Sequence, residues 1–161
     1  MKELLQHFAD YNVWANQRLA EITRIVPEST LMQKVVGSFP SVKSTIMHMM
    51  DAENIWWQRM LLVEKIERPS DRFQGSAVDA LDMLATQNMA WKSWVERAGI
   101  TELTRSFTYK SFRNEEFTQP VSDLLLHLFN HGTYHRGQWV NQLRELGVET
   151  LPATDYIVFS R

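Results

Sequence analysis

The residues best suited to chemistry are His127, His131 and His135, which recur every four positions in LLLHLFNHGTYHRGQW. On an α-helix a step of four returns to the same face, with successive members about 6 Å apart along the axis. Adjacent members can grip one metal ion. The outer two cannot share it, because about 12 Å of helix rise separates them and zinc–imidazole bonds are only about 2 Å long. The ladder therefore offers two ligands, His127 with His131 or His131 with His135, and spacing alone does not choose between the pairs. A third ligand must come from elsewhere, and His48 in STIMHMMDAENIWW is the candidate. Three neutral imidazoles would leave coordination positions open and the ion's charge intact. Such an ion lowers the pKa of a bound water or thiol, making hydroxide or thiolate available near neutral pH. This is not the HExxH pattern, since Gly132 occupies the place of the catalytic glutamate.

Several neighbours admit two readings. Asp51, three residues after His48, and Glu53 could orient a ligand or act on a metal-bound water; either could equally belong to a solvated helix face. Arg136 and Gln138 could hold an anionic substrate or support a ligand, and Arg136 could instead pair with a carboxylate. Tyr134 reads as packing, and His7 as a structural residue. Trp56, Trp57, Trp91 and Trp139 read mostly as core, with one or two available to line an apolar pocket. Gly132 suits a close helix approach. No catalytic acid or base stands out.

These residues need helices to hold them. Leu4, Phe8, Tyr11, Ala15, Leu19, Ile22 and Val26 step by three and four, predicting a first helix from about Lys2 to Val26 that Pro27 ends. Ser41 can cap a second, to about Val63, with Ile46, Met49, Ala52, Trp56 and Met60 as its stripe and His48 beside it. Ser76 can cap a third, with Ala77, Leu81, Leu84, Asn88, Trp91, Val95 and Ala98 on one face and Gly99 as its stop. Alternation from Leu103 to Phe117 suggests a small hairpin or an ordered loop. Pro120 opens a fourth helix ending at Gly147, packed through Val121, Leu125, Leu128, Gly132, Trp139, Leu143 and Leu146. The tail TDYIVFSR is apolar enough to dock. The expectation is an all-α four-helix bundle, with long connections after the first and third helices and a possible small hairpin before the last.

Composition bounds the rest. At 161 residues, with 44% hydrophobic residues and 11% aromatics, the chain reads as a single globular domain over residues 1–161. A net charge of −2 and the lack of a basic run argue against a nucleic-acid partner. The chain has no cysteine, so disulfides, thiolate ligands and a cysteine nucleophile are excluded. No apolar run approaches the roughly 20 residues of a membrane span, and the N-terminus is unlike a signal peptide. The expected setting is cytoplasmic, without a membrane partner.

The chain resembles the DinB/YfiT-like superfamily of small metal-dependent proteins. YNVWANQRL resembles that family's first-helix signature, HMMDAENIWW its second-helix metal motif, HLFNHGTYHRGQW its last-helix motif and TDYIVF its C-terminal segment. The resemblance implies His48, His131 and His135 as metal ligands, with His127 a neighbour to the site. It implies a bundle with a long crossover, a homodimer, a small-molecule substrate, and a divalent ion, with Zn²⁺ or Ni²⁺ ahead of Mn²⁺ or Fe²⁺. Better-understood relatives include low-molecular-weight thiol S-transferases and a thiol-dependent isomerase. The implied function is activation of a small thiol or of water for transfer to an electrophile. The alternative is a non-catalytic dimer that binds metal or a small ligand.

Overall fold

A computed structural model describes residues 1–161, which are mostly helical with one two-stranded sheet. The long helices are α1 (Lys2–Thr23), α3 (Val42–Met60), α4 (Ala77–Arg97) and α6 (Val121–Glu145); α2 (Glu28–Leu31), α5 (Ile100–Thr104) and α7 (Tyr156–Phe159) are short. Helix α1 stops at Thr23, short of Val26, and Pro27 precedes α2. Its buried face runs through Leu5, Ala9, Tyr11, Asn12, Ala15, Asn16, Leu19 and Thr23, while Leu4 is exposed. Apolar periodicity finds Tyr11, Ala15 and Leu19 of this face but misses its start, because two of the buried positions are asparagines.

Helix α3 begins where Ser41 Oγ accepts from Ser44 N–H and ends at Met60, before Leu62 adopts φ +56°. A reciprocal cap between Ser76 and Asp79 opens α4, whose expected stripe is wholly buried. Gly99 is not its stop. With φ −79° it opens α5, its N–H held by the Glu102 carboxylate. Strands β1 (Ser106–Lys110) and β2 (Glu116–Pro120) form the antiparallel hairpin, with Ser106 opposite Pro120. Asn114 takes the left-handed turn position at φ +63°. Beyond α6, Gly147 turns the chain at φ +87°, and the tail docks through Tyr156 and Phe159 against Tyr11 and His7.

Helix α1 packs on α4 and α6, and α3 packs on the same two, which places α1 diagonal to α3 and α4 diagonal to α6. The segments 24–41 and 98–120 join diagonal partners. A tight turn cannot bridge a diagonal, although the segment 61–76, which joins the packed neighbours α3 and α4, is long as well. The apolar core falls into two clusters, one around Trp91, Leu125 and Phe129 and the other around Ile46, Leu84 and Trp139. Between them lies a buried polar layer contributed by all four long helices: Asn12 and Asn16, Glu53, Asn88 and Arg136. No helix is long and apolar enough to cross a membrane.

Candidate metal centre

The packing of α3 on α6 brings His48 against His131 and His135. Their Nε2 atoms stand 3.1 Å (His48–His131), 3.1 Å (His48–His135) and 3.0 Å (His131–His135) apart. Hydrogen bonding cannot account for this triangle. Each contact would need one N–H facing one lone pair, and three atoms cannot be divided so that every pair is unlike. A central cation satisfies all three lone pairs together. Nitrogens bonded at about 2.0–2.1 Å to one ion lie about 2.9 Å apart at right angles and about 3.4 Å apart at tetrahedral angles. The observed separations fall inside that window, so the residues fit a divalent ion.

The surroundings fix the rings. His135 is buried, and its Nδ1 lies 2.8 Å from Gln138 Oε1. Gln138 Nε2 donates to Ser38 Oγ at 3.1 Å, and its oxygen faces His135. Nδ1 is therefore the protonated nitrogen and Nε2 is left free to ligate. Phe39 stacks on His48 with ring centroids 4.4 Å apart. Its carbonyl accepts from Gln142 Nε2, while Gln142 Oε1 accepts from Thr45 Oγ1. The loop before α3 is thus pinned across the site. Sequence reasoning missed Ser38 and Phe39; the only signal was GSFPS, a proline just before a capping serine.

His127 stands apart from the triangle. Its ring packs edge-on against Trp56, with centroids 5.3 Å apart, and lies 5.8 Å from His131. Of the two pairs left open by spacing, the structure places His131 and His135 with His48. Burial, reinforced by His135, His48 and His127, lowers His131 to about 3. Burial and then His135 lower His48, with Asp51 opposing. Burial also lowers His135 against the Gln138 hydrogen bond, and lowers His127 together with the Arg59 charge. The imidazoles are thus held neutral, the form that binds metal.

The carboxylates sit otherwise than expected. Asp51 accepts from the Ser70 N–H and hydroxyl, anchoring the turn at Pro69–Asp71, and makes no hydrogen bond to His48. Its position at i+3 gives proximity, but a better donor pair is available on its other side. Glu53 belongs neither to the site nor to a solvated face. It is 3% exposed, accepting from Asn12 and Asn88, and burial raises its carboxyl to about 7. Arg136 likewise points inward. It donates to Asn12 Oδ1 at 2.6 Å, Asn16 Oδ1 at 3.1 Å and Thr133 Oγ1 at 2.8 Å, with Nε unpartnered. Adjacent helical positions face different ways, so His135 reaches the cluster while Arg136 enters the core. Tyr134 is exposed, its ring edge against His135. Beside the histidines opens a cavity of about 290 Å³ that reaches Trp56, Arg59 and Phe112.

A family model described as the DinB family matches residues 1–161. Protein DinB of Bacillus subtilis (strain 168) is 29% identical over 163 residues, covering 91% of this chain and 88% of the relative. The crystal structure of a DinB-like protein from Bacillus cereus ATCC 10987 superposes with a TM-score of 0.69 at 20% identity, over 91% of this chain and 94% of that one. That likeness is one of fold.

Proposed function

Taking as premise that the chain belongs to the DinB family, we propose that it is a metal-dependent enzyme in which His48, His131 and His135 hold one divalent ion. We read α1, α3, α4 and α6 as a four-helix bundle, in the cytoplasm and as a homodimer. Zn²⁺ and Ni²⁺ suit a set of three imidazoles best, with Mn²⁺ or Fe²⁺ also able to bind. When bound, the ion would supply Lewis acidity for activating a small thiol or water toward an electrophile, as in a thiol S-transferase. The chain's own residues supply the rest. Gln138 sets the tautomer of His135, Phe39 restrains His48, and burial keeps all three rings neutral. The observation that carries this reading is the triangle of Nε2 atoms that no assignment of protons satisfies.

Metal analysis of untagged protein tests it, with about one ion per chain expected for one such site. His48→Ala, His131→Ala and His135→Ala should each abolish tight binding, whereas His127→Ala should leave it nearly unchanged. Protein that refuses Zn²⁺, Ni²⁺ and Mn²⁺ at neutral pH refutes the centre. With Co²⁺ bound, an added small thiol should produce a sulfur-to-cobalt charge-transfer band, against a clean background because the chain has no cysteine. The same thiol should react faster with a soft electrophile in the presence of loaded protein than with His135→Ala. Loaded protein with neither band nor acceleration favours water activation or the non-catalytic metal-binding reading.

A further inference from the structure

On α3, His48, Ala52, Ile55 and Arg59 follow one another by four, three and four residues, so they share a face. That face forms a wall of the cavity beside the histidine cluster, and Trp56 and Phe112 form others. Arg59 is unusual within it. The chain's ion pairs are Arg24–Asp82, Lys43–Glu28, Lys65–Glu67, Arg68–Asp71, Arg72–Glu67, Lys92–Asp10 and Lys92–Glu96, so none involves Arg59. Its Nε is closed off from solvent with no acceptor. The guanidinium is held by rings instead, its carbon 4.6 Å from the Trp56 centroid, 5.2 Å from Phe112 and 5.3 Å from Tyr109.

The remaining charges of the cavity are already committed. Arg68 pairs with Asp71 at 2.9 Å, and Asp51 accepts twice from Ser70. Arg59 is left as the charged group of the cavity with neither an ion-pair partner nor an acceptor for its Nε. Keeping a half-buried cation without a counter-ion is unfavourable unless something supplies the acceptor. Aromatic faces offset part of that cost and also form an apolar lining. The site thus combines an unpartnered cation with flat apolar walls, while Asp51 and Arg68 turn to partners of their own, a composition that suits a small-ligand pocket.

We propose that this cavity binds a small organic oxyanion with an apolar or aromatic body, with Arg59 as the anion anchor and Trp56 and Phe112 packing on the body. His48 and Arg59 are separated by about 16 Å of helix rise, of which the arginine side chain, leaning toward the helix N-terminus, spans a part. A ligand held at Arg59 therefore extends along α3 toward the histidines. Only the assignment of that end as the reacting end rests on the metal-centre reading above. Carboxylate, sulfonate and phosphate share the chemistry that Arg59 recognises, since each offers paired oxygens to a guanidinium fork.

The test compares 3-phenylpropanesulfonate with the neutral 3-phenylpropyl methyl sulfone, because a sulfonate is a poor metal ligand. Binding is followed through the tryptophan indole N–H signals in NMR titrations, with the Trp56 signal assigned by Trp56→Phe and metal content measured on each sample. The sulfonate should bind about tenfold more tightly than the sulfone, the size of one charge-assisted contact, and should shift the Trp56 signal. Arg59→Gln should abolish the preference, Arg59→Lys should retain part of it and Arg68→Gln should leave it intact. Should Arg59→Gln not fold, loss of the preference at about 0.5 M salt in the unaltered protein, where screening is short-ranged, supports an anchor by charge. Equal affinities for the two probes, or a preference surviving Arg59→Gln, overturns the proposal. A chain that refuses added Zn²⁺, Ni²⁺ and Mn²⁺ yet still prefers the sulfonate keeps the anchor and loses the metal centre; a loaded chain without the preference does the reverse.

Discussion

Gly132→Ala tests whether the polar layer at the level of the histidines sets the approach of α6 to α1. A Cβ at residue 132 would lie 2.8 Å from Asn12 Oδ1 and 3.2 Å from Arg136 Nη1. Those two atoms are bonded to each other at 2.6 Å. Asn12 cannot simply swing aside, because its Nδ2 donates to Glu53 at 3.1 Å. Restoring an ordinary contact therefore breaks or stretches a charge-assisted hydrogen bond, worth about 1.5–3 kcal/mol. Replacing glycine within a helix returns about 1 kcal/mol of propensity, so the net loss is about 0.5–2 kcal/mol. Gly137→Ala, on the same helix but exposed with nothing within 4 Å of its new Cβ, keeps the propensity gain alone. The two variants should differ by about 1.5–3 kcal/mol in urea denaturation, seen as a shift of midpoint at constant m. For a domain of this size each kcal/mol moves Tm by about 2–4 °C. A Gly132→Ala protein as stable as Gly137→Ala would refute the reasoning, since it would mean that the Asn12–Arg136 contact constrains nothing.

Gln138→Ala removes the acceptor at His135 Nδ1 and should weaken metal binding about tenfold, measured by competition with a chelator. Glu53→Gln should change how stability depends on pH. Burial raises the folded carboxyl to about 7 from 4.5, so the folded state holds the proton more tightly. The contribution of Glu53 is then present below 4.5 and lost as pH rises to about 7; urea melts at several pH values should show that decline in the unaltered chain and not in the variant. Metal retention should run the other way. Burial lowers His48, His131 and His135, His131 to about 3, from the ordinary 6.5, so half-release on acidification should fall below 6.5; release at or above that value would contradict the neutral cluster.

The helices were legible because their information is local. The α4 stripe from Ala77 to Ala98 repeats every three or four residues and is buried throughout, and Ser41 and Ser76 cap where a short hydroxyl side chain before an apolar run should. Boundaries were less legible. Thr23, Met60 and Gly99 end or begin helices through backbone geometry at neighbouring residues that apolar spacing does not encode. The α1 face was displaced at its start because Asn12 and Asn16 occupy buried positions, and a polar residue looks exposed until its partners on other helices are known.

By itself the sequence determined which side chains could do chemistry: a ladder of histidines on one helix, a lone histidine on another, and no cysteine to compete. It also determined that four long amphipathic helices would carry them. Spacing left the choice of pair open and the family resemblance only implied it; the tertiary structure brings His131 and His135 to His48 while His127 faces Trp56, and it alone decided that Glu53 and Arg136 belong to the core. The reason is geometric. Residues one to four apart on a helix have a relative orientation fixed by its period, but which of them faces a given neighbour depends on the rotation and axial offset of two packed helices. Those are set by the sum of contacts along their whole length, including loops such as Gly37–Ser41, and no short motif records that sum.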